Sequence, residues 1–235
     1  MAVPQMFNAI STRYDTINRV LSLGLDRYWR SKLAQEIPTK QKLKLLDLAT
    51  GTGDLLKTVL KKRPNIYDAA GCDPAREMLK IATEKLSRDA HRCKFVVSSA
   101  EMIPFPDQMF DVITTSFGIR NFSNLSQSLG EIYRTLNWGG RLIILEFSHP
   151  SNKMLRSMHR WYLNTIVPRV GKLLSGHKEA YHYLSQTIES FPQGEGVAKL
   201  LKEAGFTHVI IKPLSFGIVS LYIGEKIDES INSVS

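Results

Sequence analysis

The stretch Leu45-Leu46-Asp47-Leu48-Ala49-Thr50-Gly51-Thr52-Gly53-Asp54 decides the fold. Its apolar half has the composition of a strand buried on both faces. Residues 50–53 close that strand as a tight turn. Gly51 and Gly53 let the backbone reverse there and approach a ligand without a Cβ in the way. Helical spacing resumes over residues 54–62. The same alternation then repeats. Residues 69–73, 95–97 and 111–116 are predicted strands, and residues 78–86 and 125–136 predicted helices. Gly139-Gly140 turns the chain into a fifth strand, residues 141–147. After a helix over residues 196–204, stopped by Gly205, residues 206–212 and 217–224 add two closing strands. Strands alternating with helices predict an α/β fold with a mostly parallel sheet and right-handed crossovers.

Two segments stand outside this alternation. Residues 1–40 are helical, with Met6, Phe7, Ile10, Tyr14, Ile17, Val20 and Leu21 near helical spacing. Gly24 interrupts, a second helix carries Trp29 and Leu33, and Pro38 ends it. Residues 149–186 are an inserted helical segment with Leu155, Met158, Tyr162, Ile166 and Leu173 on one face, interrupted at Pro168 and Gly171.

Composition narrows the function classes. In 235 residues, 43% hydrophobic and 23% charged content excludes disorder as the main theme. The two cysteines, Cys72 and Cys93, cannot make a disulfide framework or a cysteine-based zinc site, so a reducing compartment is expected. The six histidines have no metal-ligand spacing, and no metal is called for. The N-terminus has no basic cluster followed by an apolar run, and no stretch approaches the roughly 18 apolar residues of a spanning helix. A cytoplasmic protein is expected, soluble or peripheral on the inner face of the membrane. The net charge of +9 favours an anionic partner without choosing among nucleic acid, a membrane surface or an acidic substrate.

Asp73 ends the second strand twenty residues after Gly53. An acid there can accept hydrogen bonds from both hydroxyls of a ribose. It can also cap the helix opening at Pro74, and the two roles are compatible. A dinucleotide fingerprint starting at Gly51 would need glycine where Leu56 stands, and one starting at Gly53 would need it at Leu55 and Thr58. Asp47 and Asp54 put two carboxylates beside the turn, which repel a pyrophosphate and suit a cationic ligand. These features favour S-adenosylmethionine, with its sulfonium and free amino group.

At this point the chain resembles the class I methyltransferases. The resemblance implies a Rossmann-like fold with a seven-stranded, mostly parallel sheet, an antiparallel closing strand, N-terminal helices and a helical insertion. It implies that Gly51, Thr52 and Gly53, beside Asp47, line the methionine end of the donor, and that Asp73 holds the ribose. It places Ser99 and Ala100 at the adenine edge, with Ser99 standing where relatives often carry Asp or Asn. It places Ser116 where donor meets acceptor.

The resemblance extends to one family within that class. The runs Tyr14-Asp15-Thr16-Ile17-Asn18-Arg19-Val20-Leu21-Ser22 with Trp29-Arg30, and Ser116-Phe117-Gly118-Ile119-Arg120-Asn121, are similar to the ubiquinone/menaquinone biosynthesis C-methyltransferases. So are Arg134-Thr135-Leu136-Asn137-Trp138-Gly139-Gly140, Leu145-Glu146-Phe147-Ser148, Tyr183-Leu184 with residues 188–192, and Gly217-Ile218-Val219. The likeness covers essentially the whole chain. Two departures stand out: Asp26 replaces the family's usual His, and Asn137-Trp138 replaces Lys-Pro before the fifth strand. The implied division is a single domain: an N-terminal helical lid (1–43), a donor-binding core (44–148), a helical insertion (149–186), a closing helix and strands (187–224) and a polar tail expected to fray (225–235).

The implied reaction moves a methyl group from a sulfonium to a ring carbon of a prenylated quinol, either demethylmenaquinol or the benzoquinol of ubiquinone synthesis. The protein must align the reacting atoms and exclude water. Arg120 is expected to hold the phenolate rather than act as a base, because guanidinium carries no acceptor. Asn121 would orient the ring oxygen, while Tyr14 and Asp15 would close over the substrate with Asp15 as proton acceptor. Each has an ordinary alternative: Tyr14 as a core aromatic, Asp15 as an i,i+4 partner of Arg19, Arg120 as the partner of a sheet-edge carboxylate. Two other readings stay open, a methyltransferase of another acceptor such as RNA and a non-catalytic binding module on the same fold.

The charge excess is confined to the two helical segments. Residues 1–44 hold eight Lys/Arg against three Asp/Glu, residues 149–186 hold six against one, and the rest holds seventeen against eighteen. Beside the prenylated quinol that the resemblance implies, this excess makes an anionic membrane surface the expected partner, with no nucleic acid; the oligomeric state is left open.

Overall fold

The computed structural model describes residues 3–39, 41–175 and 178–228, with the side chains of residues 172–182 outside the described set. The side chain of Leu173 and residues 229–235 of the expected tail therefore lie outside what is described. Seven strands form one sheet in the order β3-β2-β1-β4-β5-β7-β6. They are β1 (Leu43–Leu48), β2 (Ile66–Asp73), β3 (Cys93–Val97), β4 (Phe110–Ser116), β5 (Leu136–Phe147), β6 (Thr207–Leu214) and β7 (Val219–Glu225). Only β7 runs antiparallel to its neighbours, pairing with β5 and β6. The predicted sheet is the one observed.

The apolar strands are covered on both faces. Leu45, Ile143, Leu145 and Leu221 pack with α2 (Leu25–Gln35) and α3 (Asp54–Lys62). Leu46, Ile113, Leu142, Ile144 and Tyr222 pack on the other face with α5 (Leu125–Thr135) and α9 (Glu195–Glu203). Successive residues of β5 thus serve opposite faces, which is why its run is continuously apolar. α4 (Arg76–Lys85) completes the crossover from β2 to β3. The strand order changes direction between β1 and β4, and ligands of open α/β sheets bind at the carboxyl ends flanking such a point.

The lid and the insertion share a third core. Ile10 and Ile17 of α1 (Val3–Leu21) pack against Leu163, Val167 and Ile188. The insertion comprises α6 (Lys153–Trp161), a π-helical turn (Tyr162–Ile166), α7 (Val167–Ser175) and α8 (Lys178–Ser190). Pro168 and Gly171 do not break it. Pro168 falls in the first turn of α7, directly after the wider π turn, where a missing N–H and a bulky ring are accommodated. Of the predicted face, Leu155, Met158 and Tyr162 line a cavity, while the buried residues stand one position further along the chain. His159, Leu163 and Val167 are buried, whereas Met158 is exposed. A four-residue spacing drifts around a 3.6-residue helix, and the π turn takes up that drift.

β5 begins earlier than expected. Leu136 already pairs with Phe110, and the register shifts before Val112 pairs with Arg141. Asn137-Trp138-Gly139-Gly140 is therefore a bulge inside a strand rather than a turn before one. Gly139 takes φ +75° there, a conformation glycine adopts without steric cost.

Candidate functional site

The turn after β1 has the geometry its glycines foretold. Gly51 sits at φ +56° and Gly53 at φ +78°. A Cβ on Gly53 would come within 2.9 Å of the Leu86 side chain, so helix packing also requires glycine. A Cβ on Gly51 would meet nothing within 4 Å, so the backbone there faces open space. Asp73 holds this turn from the end of β2. Its Oδ2 accepts from Gly51 N and its Oδ1 from Ala75 N, both at 2.8 Å. The carboxylate thus ties the turn to the residue before α4, whose N-cap Ala75 carries no side-chain cap of its own. The expected capping of the helix is replaced by a bond one residue earlier, and lone pairs remain for a further donor. Burial pushes its pKa up.

Asp47 lies one layer beneath. Its carboxylate accepts from Thr50 Oγ1 at 2.7 Å and Thr114 Oγ1 at 2.8 Å, and only 1% of the residue is exposed. Burial pushes its pKa up to about 7. It therefore shapes the turn from below and carries its full negative charge only when pH rises past about 7 or a cation lies beside it. Ser116 ends β4, half-buried. Ser99 lies after β3 and bonds Glu101, whose Oε1 accepts from Ser123 N and Asn124 N; Ala100 is buried in the core. An open glycine backbone, an acid with spare lone pairs and a buried carboxyl that a neighbouring cation ionises fit a cationic nucleoside such as S-adenosylmethionine.

The lid is tied to this turn by charge. Thr52 Oγ1 donates to Asp15 Oδ1, and Lys85 Nζ lies 2.6 Å from both Asp15 Oδ2 and Asp54 Oδ1. Arg19 and Arg30 both pair with Asp26, and each lies 3.8 Å from Asp54 Oδ2. Three carboxylates and three cations thus link α1, α2, α3 and α4. Although burial opposes it, the Lys85 hydrogen bond and the neighbouring cations hold the Asp54 carboxyl below its usual range. Asp15 pairs with Lys85, and Arg19 with Asp26 instead. Asp26 is buried in this network with Ser22 Oγ donating to it, which accounts for an acid at this position.

Arg120 follows β4 in a short 3₁₀ turn, Ile119–Asn121. Its Nη1 donates to Phe117 O and to Glu146 Oε1, both at 2.6 Å. The two side chains are 4% and 1% exposed, and burial pushes the Glu146 pKa up. Arg120 Nε and Glu146 Oε2 are buried without a protein partner. Asn121 Oδ1 accepts from Tyr183 Oη at 3.1 Å.

Arg120 and Tyr14 line a cavity of about 340 Å³. Its walls are mostly apolar and come from the lid (Phe7, Ile10, Trp29), the core (Phe117, Phe147) and the insertion (Leu163). Burial raises the Tyr14 pKa, so its hydroxyl remains a donor at neutral pH. Asp15 and Asn121 are not among the lining residues. The structure therefore divides the expected residues. Gly51, Thr52, Gly53, Asp73, Asp47 and Asp15 gather at the turn, while Arg120 and Tyr14 face the cavity. Two partners escaped sequence reasoning. Glu146 had a signal, a charge directly after the apolar run of β5; Lys85 looked like any surface lysine. Among the described residues no group of three or more His, Cys, Asp or Glu side chains is placed to hold a metal ion.

A seven-stranded sheet in this order, with a glycine turn after β1 and an acid ending β2, defines the class I S-adenosylmethionine-dependent methyltransferase fold. Solved structures agree: the methyltransferase chain from the complex with the Haloferax volcanii Trm112 methyltransferase activator superposes with a TM-score of 0.68 at 17% identity, over 94% of this chain and 98% of that one. The chain belongs to the ubiE/COQ5 methyltransferase family, whose model matches residues 1–226. It is 38% identical to the demethylmenaquinone methyltransferase of Deinococcus radiodurans over 96% of this chain and 92% of the relative. It is 37% identical to the ubiquinone/menaquinone biosynthesis C-methyltransferase UbiE of Geotalea daltonii over 95% of this chain and 96% of the relative.

Proposed function

We propose that this protein transfers a methyl group from S-adenosylmethionine to a ring carbon of a prenylated quinol, demethylmenaquinol or its benzoquinol counterpart. The observation that carries this reading is the apolar cavity, which joins lid and insertion to Arg120 and Tyr14 beside the carboxyl end of β4. A quinol headgroup needs a few directed polar contacts, and its isoprenoid tail needs apolar volume.

Bound at the turn, the donor supplies an electrophilic methyl on a positive sulfonium. Gly51, Thr52, Gly53 and Asp73 hold it, with Ser99 and Ala100 toward the adenine and Ser116 toward the acceptor. The nucleophile is a ring carbon, activated when the neighbouring hydroxyl gives up its proton to solvent. The carbon–carbon bond forms as the sulfur–methyl bond breaks and leaves a neutral thioether, and the proton on that ring carbon then replaces the one lost from oxygen. Arg120 lowers the pKa of that hydroxyl by stabilising the phenolate. The carboxylate of Glu146 fixes its orientation, and Tyr14 offers a second donor. Opposite charges on nucleophile and donor cancel in the transition state, so an apolar, water-poor cavity favours the reaction. Asp15 holds the lid shut over the turn through Thr52 and Lys85, and Asn121 steadies Tyr183 at the cavity wall. Residues 1–43 and 149–186 act together as the acceptor side. Their basic excess supports a peripheral place on an anionic membrane surface, and among the described residues no helix is long and apolar enough to cross a membrane.

The test is methyl transfer from labelled donor by the purified protein to a short-tail demethylmenaquinol kept reduced, with RNA as competitor. Labelled quinone extracted into organic solvent is expected. Label in RNA with none in the quinone overturns the reading.

A further inference from the structure

The mouth of the cavity is unusually apolar for a surface. Leu23 and Phe216 both line the cavity, yet they are 83% and 86% exposed. Each sits at the tip of a turn, Leu23 between α1 and α2 and Phe216 between β6 and β7. Both take left-handed backbone conformations, φ +52° and +59°, which large side chains seldom occupy. Leu25 and Met158 line the same mouth and are also exposed. Met158 belongs to a stripe on α6, with Met154 and Trp161 at i,i+4,i+7 spacing. These three are 68%, 59% and 60% exposed in chain order, so the helix turns one apolar face to solvent.

Charge surrounds this face. Lys153, Arg156 and Arg160 share α6, Arg27 and Tyr28 are exposed beside Leu25, and residues 149–171 contain no acid. Arg160 has one acidic neighbour, Glu189 at 3.5 Å. Apolar and aromatic side chains flanked by cations are the composition of an element lying in a membrane interface.

We propose that α6 and the Leu23 and Phe216 turns insert into the surface of an anionic bilayer, seating the cavity mouth against lipid so that a prenyl tail enters without crossing water. This deepens the proposed function and rests on its prenylated acceptor. The occupant is lipid rather than a protein because the apolar rim continues inward as the cavity wall. A protein seated there would close the only apolar route that these residues frame.

The test uses the full chain, with vesicles of phosphatidylcholine alone or mixed with phosphatidylglycerol. Met154 and Trp161 do not line the cavity, so Met154→Ser/Trp161→Ser leaves the acceptor site intact. Wild type is expected to float with the mixed vesicles, with tryptophan emission quenched by brominated lipid. The double variant should bind them about tenfold more weakly, as read by flotation. Its turnover of a long-tail quinol embedded in vesicles should fall by a similar factor, with turnover of a short-tail quinol in detergent-free solution unchanged. Equal vesicle binding by variant and wild type overturns the inference. So does a wild-type dimer in solution that the double variant abolishes without change in vesicle binding. Failure of wild type to methylate the short-tail quinol at all defeats the proposed function instead, whatever the vesicles show.

Discussion

The β1 turn, proposed to hold the donor, and the apolar cavity, proposed to take the acceptor, meet at the end of β4 but are built from opposite materials. At the turn, directed bonds fix each important side chain: Asp73 by two backbone amides, Asp47 by two hydroxyls, Thr52 and Asp15 by Lys85. The cavity is apolar volume with a buried ion pair, Arg120–Glu146, at its wall. Directed bonds suit a ligand whose every atom is the same at each turnover. Apolar volume suits a tail recognised by bulk rather than by pattern. The difference also sets how each side fails. Deleting one polar partner at the turn strands the others, whereas the cavity can lose a methyl group with only a local cost.

The sharpest way to break this division is Arg120→Ala. Turnover should fall about a hundredfold or more, as when one donor to a developing oxyanion is lost, with donor affinity nearly unchanged. The substitution also strands Glu146, which is 1% exposed, and breaking a buried pair costs about 3–5 kcal/mol. Arg120→Met with Glu146→Gln should recover the lost melting temperature without recovering turnover. If the double variant regains both, Arg120 is structural and the cavity has no electrostatic role. Asp73→Ala is the opposite probe. Donor affinity measured by calorimetry should weaken about thirtyfold, as expected for charge-assisted hydrogen bonds to a ribose. Loss of donor binding to the same extent in Arg120→Met/Glu146→Gln would erase the distinction between the two sides.

Lys85→Met tests the seam between them. It removes the cation held by Asp15 and Asp54, leaves those two carboxylates to repel each other, and should lower the melting temperature by about 2–4 °C, the equivalent of roughly 1 kcal/mol. Amide exchange in α1 should quicken, because Thr52 and Asp15 lose the charge that fastens them. Unchanged exchange in α1 would mean that the apolar core of Ile10, Ile17 and Leu163 alone holds the lid.

How much of this was legible follows the same divide. The β1 turn is local chemistry: two glycines at positive φ and an acid at the next strand end are written within thirty residues. Strand and helix alternation is also local, and the sheet followed from it. The seam was not legible, because Lys85 reaches Asp15 across 70 positions and nothing nearby marks it. Helical spacing alone favours Arg19 as the partner of Asp15, and the fold gives Arg19 to Asp26 instead. The insertion misled for a geometric reason. Leu155, Met158 and Tyr162 line the cavity as their shared face implies, but a π turn widens the helix from Tyr162 onward, so a 3.6-residue pattern carried past it misses Leu163 and Val167, which pack into the core.

The smallest expected effect is a pH dependence confined to the donor side. Burial raises Asp47 to about 7, so between the ordinary aspartate range and pH 7 the folded protein binds a proton that the unfolded chain has lost. Stability contributed by this group therefore falls as pH rises through that window, and the raised pKa values of Asp73 and Glu146 act in the same direction. His159, depressed to about 4 by burial and its neighbour His149, acts oppositely and loses stability as pH falls toward 4. A sulfonium bound above Asp47 favours its ionised form, so donor affinity should instead strengthen by about threefold from pH 6 to pH 8. Asp47→Asn removes the titrating group while the Thr50 and Thr114 hydroxyls reorient to suit an amide. It should flatten the affinity profile and lessen the decline in melting temperature between about pH 4 and pH 7, with the pH dependence of Arg120-dependent turnover left in place. An affinity profile unchanged in Asp47→Asn would show that the buried carboxylate serves the turn's shape alone and contributes no charge to the donor.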